Sequence, residues 1–445
     1  MRRISIIVVV FSLLLSSFIL SGWGRGRDVK SAKVEIEFMN WEKSPVGRRF
    51  INHLIKEFEK KNPHIKIKNT LVAGNYTSKL LTRFAAGNPP DIFEIQAEII
   101  HPFLKKGLLL NLSPYIKNSP ILNEEDFFPI SLVNFRYDGK NFKKGDIYGF
   151  PKDLGVGALI YNKELFDKEG IRYPDENWTE KEYVDAAKKL TKRDESGRII
   201  QIGIDRPINP LYILLCKGGS IWSSDYKKCL LDSKEGVEAF QFVYDLQEVH
   251  RVALPQSGER RGLVEAFGFK SGKAGMSLVW RFQLPDLVKY IGNRFRWAVA
   301  PIPLFNGKRI QLLHGPSGWA ISKKTKHPEE CFKFMEFLVG EEGQIETAKL
   351  GWNIPGNKRI AYSEYFLENL KREDSEEINR IFLNSIDELN PTLLNPYISI
   401  SKFYTILDEM LDVNNIRKYG GRVDIPLKIA VKRINKEIEE NLNNE

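Results

Sequence analysis

The stretch VEIEFMNW, residues 34–41, begins the pattern that decides the fold. Its apolar and charged residues alternate, which predicts a strand. Apolar residues then recur at helical spacing as far as Phe58, and Asn62-Pro63 ends the predicted helix. A second strand (IKIKNTLV), a second helix ending at GNPPD and a third strand (IFEI) follow. This order predicts an α/β fold with a mainly parallel sheet and helices on both of its faces.

The same alternation continues through the rest of the chain. Thr179 and Glu182 form a capping-box pattern at the start of a predicted helix. KAGMSLVW and RWAVAPIPL are strand-like. Pro328 begins a helix with one apolar stripe, and the chain ends in a further amphipathic helix. The stripe residues of these two helices are Cys331, Phe334, Met335, Leu338 and Val339, and then Leu427, Val431, Ile434 and Ile438.

The first 27 residues have the layout of a secretory signal. Arg2 and Arg3 precede the charge-free apolar run 4–20, and small residues follow it. Leu20-Ser21-Gly22 is typical of the residues before the lipid-bearing cysteine of bacterial lipoproteins, but Trp23 stands in its place. We therefore predict that residues 1–27 are a signal peptide or a retained N-terminal anchor. Either alternative exports the chain to the periplasm or to the outer face of the cytoplasmic membrane.

Charge, cysteine content and motif spacing argue against nucleic-acid binding, a metal site and a bound cofactor. The formal net charge is +10, and four leader arginines account for part of it, leaving +6 spread over the remaining chain. A nucleic-acid-binding protein more often has a concentrated basic stripe, so we expect no nucleic-acid partner. Cys216 and Cys229 could pair, whereas Cys331 lies on an apolar helix stripe and is expected in the core. No metal-ligand spacing and no complete phosphate-loop or dinucleotide fingerprint is present, so we expect no metal and no cofactor.

Five segments, in this order, give the chain a family resemblance. They are KLLTRFAAGNPPDIFEI, YGFPKDLGVGALIYNKELFDKEGI, AFGFKSGKAGMSLVW, GPSGWAISKKTKHPEECFKFMEFLVGEEGQ and LGWNIPGNK, spanning residues 79–358. The chain resembles family 1 extracellular solute-binding proteins, the carbohydrate-binding subunits of ABC transporters. The last segment departs from the family pattern, because Trp and Asn stand where plainer residues are common.

The resemblance implies a periplasmic-binding-protein-like fold: two α/β lobes, a hinge and an interlobe ligand cleft. It implies chain crossings near Pro151, Met276 and Ile321. The first lobe would then comprise residues 28–151 and 276–321, and the second lobe 152–275 and 322–445.

The resemblance also implies which residues face the cleft, because the family's sites lie at turns between strands and helices. The expected ligand-binding residues are Trp41, Asn75, Tyr76, Gln96, Glu98, Lys152, Asp153, Trp222, Trp280, Arg281, Trp319, Trp352 and Asn353. Indole and phenol rings stack on the apolar faces of sugars, and carboxylates, amides and arginine satisfy sugar hydroxyls. The expected ligand is a sugar or oligosaccharide. Because Arg281 and Lys152 are cations, the ligand could be an acidic sugar as well as a neutral one.

The expected protein is a monomeric, non-enzymatic binder that delivers sugar to membrane permease subunits of an ABC transporter. One alternative is a secreted glycoside hydrolase or lyase, which needs two carboxyl groups facing each other across the scissile bond. A second alternative is a sensor component that presents its ligand to a receptor. Sugar identity, length and linkage do not follow from the sequence.

Overall fold

The computed structural model describes residues 33–42, 44–72, 74–255, 260–313 and 315–443, without the side chains of residues 260 and 261. The predicted leader, 1–27, lies outside the described residues. The sequence gives rise to two five-stranded sheets, each with helices packed against it, so the chain has the expected two-lobed α/β fold.

The first sheet contains the strands that open the described chain. Its strand order is Ile65–Leu71, Val34–Asn40, Ile92–Gln96, Ser317–Ile321 and Phe150–Pro151. The first three strands are parallel and the fourth is antiparallel to the third, with Trp319 opposite Glu94. The carboxyl ends of the parallel strands and the start of Ser317–Ile321 therefore lie at one edge of this sheet.

The second sheet is built from the middle of the chain. Its strand order is Trp297–Ala300, Gly157–Asn162, Ala274–Trp280, Ile199–Ile204 and Lys192–Arg193. Ile199–Ile204 and Ala274–Trp280 are parallel, so their carboxyl ends lie at the same edge. Three short pairs join Arg136–Tyr137 with Asp146–Ile147, Asp153–Leu154 with Ile354–Pro355, and Gln311–Leu312 with Leu389–Asn390.

Side-chain caps favoured by the sequence mark the starts of two helices. Ser44 accepts a 2.9 Å hydrogen bond from Gly47 N at the start of the first helix, and the predicted capping box of Thr179 and Glu182 is present. The α-helices are Pro45–Lys61, Tyr76–Ala85, Ala97–Lys105, Ser113–Asn118, Pro129–Leu132, Lys163–Lys168, Glu180–Leu190, Pro210–Cys216, Lys234–Tyr244, Arg260–Phe267, Leu284–Ile291, Pro328–Val339, Glu341–Leu350, Lys358–Ala361, Glu364–Leu367, Ser375–Asn384, Ile400–Met410, Val413–Arg417 and Asp424–Asn443. The 3₁₀ turns are Glu124–Asp126, Val133–Phe135, Phe269–Ser271, Arg281–Gln283, Ile386–Glu388 and Pro391–Leu393, and Asp245–Val249 is a π-helical turn.

Strand pairing differs from the predicted lobe boundaries in two places. Ala274–Trp280 and Trp297–Ala300 pair with Gly157–Asn162 in the second sheet, so residues from 276 onward do not return at once to the first lobe. Among the described strands that follow residue 276, Ser317–Ile321 alone joins the first sheet. These strands are all largely apolar, so their composition does not indicate which sheet they join.

The second difference concerns helix Pro328–Val339, which was expected in the second lobe. The ring centroid of Phe334 lies 5.3 Å from that of Phe38 and 4.8 Å from that of Phe58. The helix therefore packs on the first sheet, and the crossing after Ile321 comes later than predicted. The apolar stripe itself was predicted correctly, since Cys331, Phe334, Met335, Leu338 and Val339 are all buried.

Candidate ligand-binding cleft

At the edge of the first sheet, Trp41 follows the strand Val34–Asn40. Its half-buried indole meets the Tyr76 ring edge-on, with centroids 5.0 Å apart. The Tyr76 hydroxyl donates a 2.6 Å hydrogen bond to the Glu94 carbonyl oxygen, which fixes the phenol. Trp352 reaches the same region, because a β-carbon added at Gly47 would lie 3.0 Å from its Cη2. This arrangement places two partly accessible indoles, Trp41 and Trp352, on the first lobe.

A buried charge cluster lies beneath this surface. Lys152 Nζ donates hydrogen bonds to Glu94 and, at 3.3 Å, to Glu42 Oε1, and it lies 5.7 Å from the Trp41 ring centroid. Glu94 has no exposed surface, and burial raises its pKa to about 8 even though the Lys152 ammonium opposes that shift. The Lys152 ammonium is therefore committed to protein carboxylates.

Glu98 follows the strand Ile92–Gln96 at the same edge. Its Oε1 accepts a 2.8 Å hydrogen bond from Gly315 N, while its Oε2 is buried with no hydrogen-bond partner among the described residues. Burial raises the pKa of this carboxyl group. Burial is the main cause of the raised pKa of Tyr404, and the charge of Glu98 adds to it.

The second lobe contains a cavity of about 460 Å³ at the carboxyl ends of Ile199–Ile204 and Ala274–Trp280. Ligand pockets are typically roughly 300–1,000 Å³ in volume, and α/β sheets bind ligands at this end of their strands. Contacts relate five of the lining side chains to one another, and we call this group the polar end: Arg206, Asn209, Trp280, Tyr404 and Asp408.

Direct contacts hold the polar end together. The Arg206 guanidinium carbon lies 5.1 Å from the Trp280 ring centroid, within cation–π distance. Asn209 hydrogen-bonds to the Tyr404 hydroxyl, and burial raises the pKa of Tyr404 to about 12, so the phenol stays neutral. Tyr404 and Asp408 lie one turn apart on helix Ile400–Met410. The polar end therefore offers aromatic faces, a cation, an amide and a carboxylate to one ligand.

The structure divides the sequence-predicted site residues into two groups. Partly or fully exposed at the lobe edges are Trp41, Asn75, Gln96, Glu98, Trp280, Trp352 and Asn353. Buried are Tyr76, Lys152, Asp153, Trp222, Arg281 and Trp319. Asn75 serves as an N-cap, since its Oδ1 accepts a 2.9 Å hydrogen bond from Ser78 N. Asp153 Oδ1 accepts a 2.9 Å hydrogen bond from Ser317 Oγ, beside the crossing between the lobes.

Three of the buried residues belong to the framework in this structure and do not line the cavity. Trp222 is 6% exposed and its Nε1 donates a 3.2 Å hydrogen bond to the Leu393 carbonyl oxygen. Trp319 is 1% exposed, with its ring 5.2 Å from that of Phe38. Arg281 is fully buried and its donors are used within the protein. These side chains have little or no surface to offer a ligand because tertiary packing covers them.

Sequence reasoning missed four residues of the polar end. Arg206 and Asn209 lie in DRPINP, which directly follows the strand Ile199–Ile204, so the rule that sites lie at the carboxyl ends of strands could have found them. Tyr404 and Asp408 lie on a C-terminal helix that looks like ordinary amphipathic sequence. Only the tertiary structure brings that helix to the second sheet.

Two further properties concern the described part of the chain. No cluster of three or more histidine, cysteine, aspartate or glutamate residues with metal-binding geometry occurs there. Among the same residues, no helix combines the length and the apolar character that crossing a membrane requires.

Two α/β lobes with a cavity at the carboxyl ends of the strands are typical of solute-binding proteins of the periplasmic type. Residues 43–345 match the family described as bacterial extracellular solute-binding protein, and the chain belongs to this family. An arabinooligosaccharide-binding protein of Bacillus subtilis is 24% identical over 89% of this chain and 91% of its own length. A multiple sugar-binding protein of Streptococcus mutans is 25% identical over 73% of this chain and 76% of its own length.

Solved structures are similar over nearly the whole chain. An ABC substrate-binding protein from Listeria monocytogenes in complex with cycloalternan has a TM-score of 0.73 and 25% identity, covering 92% of this chain and 99% of that one. The GacH receptor of Streptomyces glaucescens has a TM-score of 0.71 at 19% identity, covering 92% and 99%. The second likeness concerns the fold alone.

Proposed function

We propose that this protein captures an oligosaccharide between its two lobes, outside the cytoplasm, and delivers it to the permease of an ABC transporter. The observation that carries the proposal is the polar end of the second-lobe cavity, where Trp280 and Tyr404 lie beside Arg206, Asn209 and Asp408. A sugar ring has apolar faces and a hydroxyl rim, which match aromatic rings bordered by donors and acceptors.

The charges of the cleft favour a neutral ligand over an acidic one. Lys152 is paired with Glu94 and Glu42, and the Arg281 guanidinium donates three hydrogen bonds to protein oxygens. The two cations that the sequence suggested for a uronic acid are thus occupied. The cation that remains at the polar end, Arg206, shares the cavity lining with the carboxylate of Asp408. Asp408 at the polar end and Glu98 across the cleft would repel a carboxylate and accept hydrogen bonds from hydroxyls.

Binding would act through a shift between open and closed arrangements of the lobes. Trp41, Trp352 and Glu98 are on the first lobe and the polar end is on the second, so a ligand contacts both sets only when the lobes are close. Such a ligand stabilises the closed form by its greater affinity for it. The permease would recognise that form, and no bond of the sugar would be broken.

Isothermal titration calorimetry on the full-length chain, in a detergent without a sugar headgroup, tests the proposal. The panel contains arabino-, manno- and malto-oligosaccharides, cycloalternan and a uronic-acid oligosaccharide. We expect saturable binding of a neutral oligosaccharide and its recovery unchanged by chromatography. Trp280→Ala should weaken this binding, whereas Trp23→Ala, in the leader, should not.

Each other outcome has a defined meaning. Absence of binding across the panel would contradict the oligosaccharide proposal. Shortened or unsaturated products would support the hydrolase or lyase alternative. Preference for the uronic acid would contradict the argument from Lys152 and Arg281.

A further inference from the structure

The second-lobe cavity continues beyond its polar end into a region with a different lining. This apolar end is formed by Val243, Tyr244, Leu411, Val413, Ile416 and Val423. Tyr244, Ile416 and Val423 form a small hydrophobic cluster of their own, separate from the main core of the second lobe. One cavity therefore joins a polar, aromatic end to an apolar end.

Two polar side chains that border the apolar end are hydrogen-bonded to the backbone. Gln247 Nε2 donates a 3.1 Å hydrogen bond to the Leu254 carbonyl oxygen. Asp412 Oδ1 accepts a 2.9 Å hydrogen bond from Asn414 N. A sugar hydroxyl placed there would lose its hydrogen bonds to water and gain few in return, which is unfavourable. An apolar group would lose nothing and would bury apolar surface.

The backbone around the apolar end is shaped to keep Tyr244 in place. Helix Lys234–Tyr244 changes to the π-helical turn Asp245–Val249 directly after this residue. Such turns are frequent at functional sites. Gly421 has φ +80°, and a β-carbon there would lie 3.3 Å from the Tyr244 hydroxyl. Gln241 fixes the facing segment, since its Oε1 accepts a 3.1 Å hydrogen bond from Val423 N.

We infer that the ligand is an oligosaccharide that carries an aromatic substituent, with the sugar at the polar end and the aromatic group at the apolar end. This inference rests on the proposed function and adds the substituent to it. The aromatic group would lie against Tyr244 and between the aliphatic side chains of Val413 and Ile416. An offset or edge-to-face contact between two rings adds to the gain from burial alone.

Matched ligands test the inference on the full-length chain. Each oligosaccharide that binds is compared with two derivatives, one with a 4-nitrophenyl group at the reducing end and one with a benzoyl ester at the non-reducing end. We expect one derivative to bind at least about tenfold more tightly than the free sugar. Val413→Asn and Val413→Phe should each abolish this advantage and leave free-sugar affinity within about twofold. Ile429→Asn, at an exposed site outside this cavity, is the control and should preserve the advantage.

The outcomes separate the two proposals. If the free sugar binds and neither derivative binds more tightly, the aromatic substituent is wrong and the proposed function stands. If both Val413 variants keep the full advantage, the apolar end is not where the aromatic group binds, and the inference is overturned. If no sugar and no derivative binds, the proposed function fails and this inference fails with it.

Discussion

Lys143 Nζ donates a 2.6 Å hydrogen bond to the carbonyl oxygen of Pro391, which ties a first-lobe hairpin to the C-terminal segment. The same ammonium donates to the Tyr226 hydroxyl at 3.1 Å and lies 4.9 Å from that ring's centroid. Leu394 packs in a cluster with first-sheet residues, whereas Leu393 packs in the core of the second lobe. Lys143 therefore lies at a point where both lobes meet.

We expect Lys143→Met to broaden the distribution of interlobe distances in the ligand-free protein. Methionine keeps the aliphatic contacts but removes the hydrogen bonds that hold the lobes in this arrangement. Double electron–electron resonance between labels at Lys56→Cys and Lys188→Cys, exposed sites on the two lobes, measures the change. Lys144→Met, at the exposed neighbouring position, is the control. Indistinguishable distributions for the Lys143 and Lys144 variants would refute an interlobe role for Lys143.

His101 should make the fold sensitive to acid. Burial, with help from the charges of Lys105 and Lys143, lowers its pKa to about 4, and its ring lies 5.0 Å from Phe142. Between the unfolded pKa of about 6.5 and pH 4 only the unfolded chain takes up this proton, so stability falls as pH falls, by up to about 3 kcal/mol. His101→Phe should reduce this loss in urea titrations at pH 7 and 4.5. His250→Phe, at an exposed position, should retain it, and an equal loss in all three proteins would contradict the prediction.

Arg281 should matter for stability and Arg206 for ligand binding. Arg281 donates to Asn379 Oδ1 and the Gly351 carbonyl oxygen at 2.7 Å and to Asn369 Oδ1 at 2.6 Å, and burial lowers its pKa to about 9. Arg281→Met removes these three hydrogen bonds from the protein interior and should lower the unfolding free energy by at least about 2 kcal/mol. Arg206→Met should leave that energy nearly unchanged and weaken ligand binding by about tenfold or more.

Urea unfolding and calorimetric titration of both arginine variants check this division. A folded Arg281→Met protein of wild-type stability with lost binding would restore the original sequence prediction that Arg281 contacts the ligand.

Cys216 and Cys229 should remain reduced and unreactive in the native protein. Both are buried as free thiols, which corrects the expectation that they could pair, and burial raises their pKa values to about 11 and about 12. The Cys216 sulfur also accepts a 3.2 Å hydrogen bond from Ile310 N. Iodoacetamide at pH 7.5 should label neither thiol until urea is added, because the thiolate is the reactive form. Lys144→Cys is a positive control, and a disulfide-linked peptide in a non-reduced digest would contradict the prediction.

Local sequence predicted the individual strands and helices better than it predicted which sheet each of them joins or packs against. The strand Val34–Asn40, the helix that buries Phe58 and the capping box at Thr179 follow from periodicity and side-chain chemistry within a few residues. The lobe to which Ala274–Trp280 and Pro328–Val339 belong was predicted wrongly, because an apolar strand or helix stripe fits either sheet equally well. The family resemblance gave the two-lobed fold correctly, whereas the crossing expected near Met276 falls inside a strand of the second sheet.

The candidate site likewise combines features that local sequence predicts with features that depend on long-range packing. The sequence by itself determined that aromatic and polar residues stand where strands end, as at Trp41, Glu98 and Trp280, because strand period and turn position are local properties. Only the tertiary structure decided that Trp319 and Arg281 turn inward and that Tyr404 reaches Asn209 across the second lobe. Burial and contact between distant segments depend on how whole elements pack, which no short stretch of sequence specifies.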